Sequence, residues 1–154
     1  MTSMLKKGDK APSFTANDQN GEPVSLNDFK GKKLALFFYP KDDTPTCTKE
    51  ACNLRDSYPA LRRSGIAVLG VSIDTEKKHK KFEAKYELPF TLLADTDKKI
   101  VSDYGVWGMK QFMGREFMGT HRVTFLINEK GIIDHIIDKV TSGDHARQIL
   151  DLWR

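Results

Sequence analysis

The sequence predicts an α/β fold, a mixed central sheet with helices on its faces and a small hairpin at the start, in one domain covering residues 1–154. Three observations carry that expectation. Two short continuous apolar runs, "LALFFY" (34–39) and "IAVLGVSI" (66–73), read as strands covered on both sides, since a strand with one wet face would alternate. Between them Ala51, Leu54, Tyr58 and Leu61 recur at helical spacing, a stripe that can cross over and leave the two strands parallel. Further on, "RVTFLI" and "GIIDHII" flank "NEKG", the signal of a hairpin. A chain of 154 residues can bury a core of this kind without disulfide staples.

Taken in order, "FTANDQNGEPVSL" sets alternating Phe14 and Ala16 before Asn20-Gly21 and Val24 and Leu26 after it, the pattern of a small hairpin appended to the main sheet. The strand at 34–39 leads into the first helix. Pro59 sits inside the helical pattern and offers no N–H to the preceding turn, so the helix must kink or break near Tyr58. After the strand at 66–73 come a helix over Glu76 to Tyr86, a further helical stretch near Asp97 to Tyr104, and a Gly- and Met-rich loop, "GVWGMKQFMGREFMG". The strands at 122–127 and 131–137 and a closing helix, "DHARQILDLW", complete the chain. The succession βαβ then ββα is that of a thioredoxin-like domain. No repeat or linker divides it.

Composition bounds the function classes. The net charge of +4, from 25 Lys and Arg against 21 Asp and Glu, owes much to "KKHKKF" (77–82). No aromatic residues alternate with these lysines to stack on bases, so they read as a solvated helix face and no nucleic-acid partner is expected. Nowhere does the chain approach the roughly 18 consecutive apolar residues of a membrane span, and the N-terminal stretch "MTSMLKKGDKAPSF" has no apolar region of signal-peptide length. A cytoplasmic protein with no membrane partner is the expectation. Two cysteines are too few for a disulfide framework, and a close pair in a reducing compartment points to redox chemistry or a metal.

Both cysteines, Cys47 and Cys52, lie in "YPKDDTPTCTKEACNLRD" (39–56), just beyond the first buried strand. Thr44 and Pro45 offer an N-cap and a first helical proline. A thiol in the first turn of a helix meets unpaired backbone N–H groups and the positive end of the helix dipole, and both favour thiolate over thiol. Cys47 therefore has the position of a nucleophile. Residues i and i+5 of a regular helix lie about 140° apart around the axis and roughly 7.5 Å along it. Their Cα atoms are then about 8 to 9 Å apart, beyond the ~7 Å reach of a disulfide, so the pair either never joins or joins after the helix opens locally. Two inert buried cysteines and a metal site are the competing readings. Against metal, His79, His121, His135 and His145 are scattered without ligand-like spacing, and no metal is expected.

These residues resemble the active site of peroxiredoxins, in particular the peroxiredoxin Q or bacterioferritin-comigratory-protein group. "GDKAPSF", "FFYPKDDTPTCTKEAC", "VSIDT", "FTLLAD", "YGVWG", "FMG" and "HRVTFLI" follow that group in order and spacing over nearly the whole chain. The resemblance implies a peroxidase that reduces hydrogen peroxide and organic hydroperoxides with a cysteine and no cofactor. It makes Cys47 the peroxidatic cysteine, Thr44 the hydroxyl that binds peroxide, Pro40 the ring that shields the thiolate, and Arg122 the arginine that completes the site. Cys52 matches the cysteine that resolves the sulfenic acid within the same chain, and thioredoxin is the implied reductant. Thr46 departs from the group, which usually has Gly there; a β-branched residue is penalised at positive φ and narrows a pocket. A monomer is expected, with a weak homodimer through Met109 to Met118 as the alternative, although that stretch reads more readily as lining the core or pocket. A non-enzymatic thioredoxin-like binding or chaperone module with structural cysteines is the rival function; general dithiol exchange lacks the C-x-x-C spacing.

Overall fold

The computed structural model describes residues 5–153; the first four residues of the N-terminal stretch lie outside the described residues. Its main sheet has five strands. The middle strand, β3 (Lys33–Phe38), pairs in parallel with β4 (Ile66–Ser72) and antiparallel with β8 (Val123–Ile127). Beyond these, β4 pairs in parallel with β5 (Thr91–Ala94), and β8 antiparallel with β9 (Ile133–Ile137). The expected mixed sheet is thus present.

Successive side chains of β3 point to opposite faces, so the apolar run splits between two layers of core. Ala35 and Phe37 pack with Ala51, Leu54, Leu61, Phe82 and Ile149, whereas Leu34, Leu36 and Phe38 pack with Val71, Ile100, Tyr104 and Phe125. The helices that supply the first layer are α1 (Pro45–Asp56), α2 (Tyr58–Arg63), α3 (Glu76–Tyr86) and the C-terminal α5 (His145–Leu152). On the opposite face lie α4 (Lys99–Asp103) and the appended hairpin β1–β2 (Thr15–Asn17, Pro23–Ser25). Pro59 breaks the first helical stretch in two: α1 ends at Asp56, and Pro59 sits in the first turn of α2, where its missing N–H is not needed. No helix among the described residues is long and apolar enough to cross a membrane.

Two elements differ from expectation. Strand β5, four residues long, is absent from the pattern-based reading, because "TLLA" is too short to display a period. The Gly- and Met-rich stretch is not a loop but a two-stranded ribbon, β6 (Trp107–Phe112) paired with β7 (Arg115–Thr120). Met113 and Gly114 turn it with φ of 52° and 78°, both left-handed as a tight hairpin requires, but Met-Gly lacks the Asn-Gly signal. Nor do its apolar residues line the core: Met109, Phe112, Met113, Phe117 and Met118 are exposed.

Candidate functional site

The chain leaves β3 at Tyr39 and reaches α1 through Pro40 to Thr44, a loop clamped from below by buried polar groups. Asp42 donates its N–H to Asp74 Oδ2 (2.8 Å), and its carboxylate accepts the Tyr39 hydroxyl (2.6 Å) and meets His79 Nδ1 (2.6 Å). Ser72 donates to the same Asp74 oxygen, and His79 Nε2 donates to the Leu93 carbonyl. Asp43 is held in the left-handed region at φ 57°, where Lys85 Nζ (2.8 Å) and Tyr86 Oη (2.7 Å) bind its carboxylate. A non-glycine residue there is strained, so these two partners and the clamp at Asp42 over-determine the turn. Sequence reasoning missed this clamp, since its members fall just after β3, at and just beyond the end of β4, and on α3, with no shared spacing.

Cys47 is the third residue of α1, 2% exposed, in the turn whose N–H groups lack helical partners. Arg122, immediately before β8, donates from Nη2 to Cys47 Sγ at 3.2 Å and from Nη1 to Glu50 Oε1 at 2.7 Å. Two residues 75 apart in the chain thus meet at the sulfur. Thr44 precedes α1 as expected, but its hydroxyl makes no cap; it donates to the Lys41 carbonyl at 2.8 Å. Pro40 is half-buried in the same loop. Thr46 is exposed, lies within α1 and is not among the residues with positive φ, so the strain expected of a Gly-replacing threonine does not arise. Cys52 is half-buried on the same unbroken helix, and both thiols are free. The helix keeps them at the separation that forbids a bond.

Glu50, one helical turn beyond Cys47, was not singled out from sequence, although an acidic residue at i+3 from a cysteine necessarily shares its helix face. It is fully buried. Burial pushes its carboxyl up to about 7, against the pull of Arg122. Burial works against the charge on Arg122 as well, but Cys47 and Glu50 outweigh it and raise its pKa. A second cation approaches from the ribbon: the Lys110 stem crosses Gly119, where a Cβ would lie 3.0 Å from Lys110 Cδ, and Nζ donates to the Thr120 carbonyl at 2.9 Å. Burial and the charge of Arg122 lower the Lys110 pKa, with Cys47 opposing. Beside Arg122 an open cleft of about 670 Å³ runs between His121 and Lys139.

A loop-to-helix cysteine held by an arginine from a neighbouring strand can be compared with known proteins. The model of the AhpC/TSA family matches residues 7–136. The chain belongs to that family. Within it, "Putative peroxiredoxin bcp" of Haemophilus influenzae is 49% identical over 97% of each chain, and "Peroxiredoxin Bcp" of Escherichia coli K12 is 45% identical over 96% of this chain and 94% of that one. Among solved structures, peroxidoxin BcpB of Mycobacterium tuberculosis superposes with a TM-score of 0.87 at 30% identity, covering 98% of this chain and 97% of the other. The thioredoxin-like peroxiredoxin fold and the likeness to the Bcp and PrxQ group are therefore established, and the relatives support a thiol peroxidase activity for this family member.

Proposed function

We propose that Cys47 reduces hydrogen peroxide and organic hydroperoxides, that Cys52 resolves the oxidised Cys47 within the chain, and that thioredoxin or a similar dithiol protein regenerates both thiols. The contact of Arg122 Nη2 with Cys47 Sγ carries this reading. The Cys47 thiolate attacks one peroxide oxygen, an S–O bond forms as the O–O bond breaks, and the departing oxygen takes a proton and leaves as water or alcohol. Arg122 donates hydrogen bonds where negative charge moves from sulfur to the departing oxygen. The Thr44 proton is committed to the Lys41 carbonyl, so the lone pairs of its oxygen are offered to a peroxide O–H. Pro40 and the buried wall behind Cys47 limit access of water. Organic substrates are supported by the bacterioferritin comigratory protein of Xanthomonas campestris, described by its alkyl peroxide reduction activity and 31% identical over 90% of this chain.

Resolution follows from the helix. Cys52 attacks the Cys47 sulfenic acid, an S–S bond forms as the S–O bond breaks, and water leaves. The first turns of α1 must unwind for this step. An external dithiol then reduces the disulfide and is itself oxidised. Peroxide consumption coupled to thioredoxin and its reductase tests the whole cycle. Cys47→Ser abolishes turnover, while Cys52→Ser consumes one equivalent of peroxide and stalls as a sulfenic acid. Equal losses in the first turnover would contradict these roles, and no turnover by wild-type protein with both thiols titratable would favour a non-enzymatic module.

A further inference from the structure

At the end of the sheet opposite Cys47, where β3 begins, a cavity of about 290 Å³ opens between three stretches of chain. Lys10, Lys30, Lys32 and Lys130 line it, and none of its lining residues is acidic. All four lysines are exposed, and among the described residues their ammonium groups have no carboxylate, carbonyl or ring partner. Elsewhere lysines are paired: Lys80 with Glu83, Lys85 with Asp43, Lys99 with Asp103. Four like charges around one hollow repel one another, and an anion seated among them removes that repulsion.

The floor of the cavity is apolar and its walls are tied together. Ala11, Leu34 and Ile127 are buried beneath it, with Leu26 and Phe29 half-buried at its side. The Gly31 N–H donates to the Glu129 carbonyl (2.9 Å), the Ala11 N–H to the Gly131 carbonyl (2.9 Å) and the Leu26 N–H to the Phe14 carbonyl (3.1 Å). Main-chain bonds therefore hold the lysine-bearing segments in place before any ligand arrives, which spares binding the cost of ordering them. The Ser13 and Asn27 side chains also line the cavity and make no hydrogen bond among the described residues, so both are open to a ligand.

The chemistry of the walls selects the occupant. Ammonium groups are compact point charges that suit the spread oxygens of a phosphate, whereas a planar carboxylate is matched best by the fork of an arginine, and no arginine lines the cavity. Its volume lies at the lower end for small-molecule sites, which begin near about 300 Å³. A membrane surface fits less well, because the large exposed apolar side chains lie on the β6–β7 ribbon and at Leu152, not here. A nucleic acid would need an aromatic face to stack on, and Phe29 is half-buried in the wall. We propose that this cavity binds a small phosphate monoester, its phosphate among the four ammonium groups and an apolar body about the size of one aromatic ring on the floor. The six residues of β3, about 20 Å of strand, separate it from the loop that leads to Cys47, so its ligand does not compete with peroxide.

Proton–nitrogen NMR of the reduced wild-type protein, titrated with phenyl phosphate, tests the assignment without any peroxide. Saturating shifts are expected at 10–13, 26–32 and 127–131. Affinity should be about tenfold higher than for inorganic phosphate, because the ring leaves water, and should fall as salt is raised. Lys30→Gln combined with Lys130→Gln, both at exposed positions, is expected to weaken phenyl phosphate binding about tenfold, while Lys77→Gln with Lys81→Gln on α3 leaves it unchanged. Shifts centred on the α3 lysines, equal affinity for the two phosphates, or a folded Lys30→Gln, Lys130→Gln protein that binds like wild type overturns the proposal. So does binding to phosphatidylglycerol vesicles or single-stranded DNA that the same double variant loses while phenyl phosphate produces no shift, since the lysines then serve an extended surface. None of these readouts involves Cys47.

Discussion

Arg122 divides its two terminal nitrogens between sulfur and carboxyl, a forked geometry that an ammonium cannot reproduce. Arg122→Lys keeps the charge but loses one of the two bonds, and the rate of Cys47 oxidation in a stopped-flow single turnover is expected to fall by roughly 10²-fold. An unchanged rate would remove Arg122 from the chemistry. At this scale, legibility depended on chain distance. Pro40, Thr44, Cys47 and Cys52 fall in one short stretch whose helix-start signals are local, so their placement was readable. Arg122 alone would pass for a surface arginine, and only the resemblance singled it out. Glu50 was not readable as buried, because nothing local announces that α1 and α5 close over its carboxyl.

Among the elements, α1 carries the proposed cycle, and its attachment sets how readily it opens. Asn53 ties it to the C-terminal helix, donating to the Gly143 carbonyl (2.9 Å) and accepting the Ala146 N–H (2.8 Å), one of the N–H groups that the first turn of α5 cannot satisfy internally. Asn53→Ala removes both bonds and is expected to lower stability by about 1–2 kcal/mol in urea unfolding. The same variant should form the Cys47–Cys52 disulfide faster after a peroxide pulse, since opening becomes easier. Slower or unchanged disulfide formation would mean that unwinding does not involve this tether. The long buried strands and periodic helices were legible here, as was the break at Pro59. The ribbon was not: its residues alternate poorly and its turn uses a methionine at positive φ, so its pairing comes from tertiary context.

For the whole molecule, the buried Glu50 links folding to pH. Its folded-state value of about 7 lies above the ordinary 4.5, so the folded protein binds a proton that the unfolded chain releases in between. The stabilisation is complete below 4.5 and is lost as pH rises through about 7, a contribution on the order of 3 kcal/mol. Denaturant midpoints measured from pH 5 to pH 8 are expected to decline across that window, and Glu50→Gln should flatten the decline; an equally steep profile in the variant would place the linkage elsewhere. The break at Ser57 has a mechanical meaning at this scale. Ahead of α1, Asp42 is fastened to Asp74, just beyond β4, and Asp43 to α3; behind it, α2 starts a hydrogen-bonded turn of its own with Leu61 buried. The helix is a strap buckled at both ends and pinned part-way along at Asn53, so the slack open to its first turns is set by the distance from the front buckle to that pin.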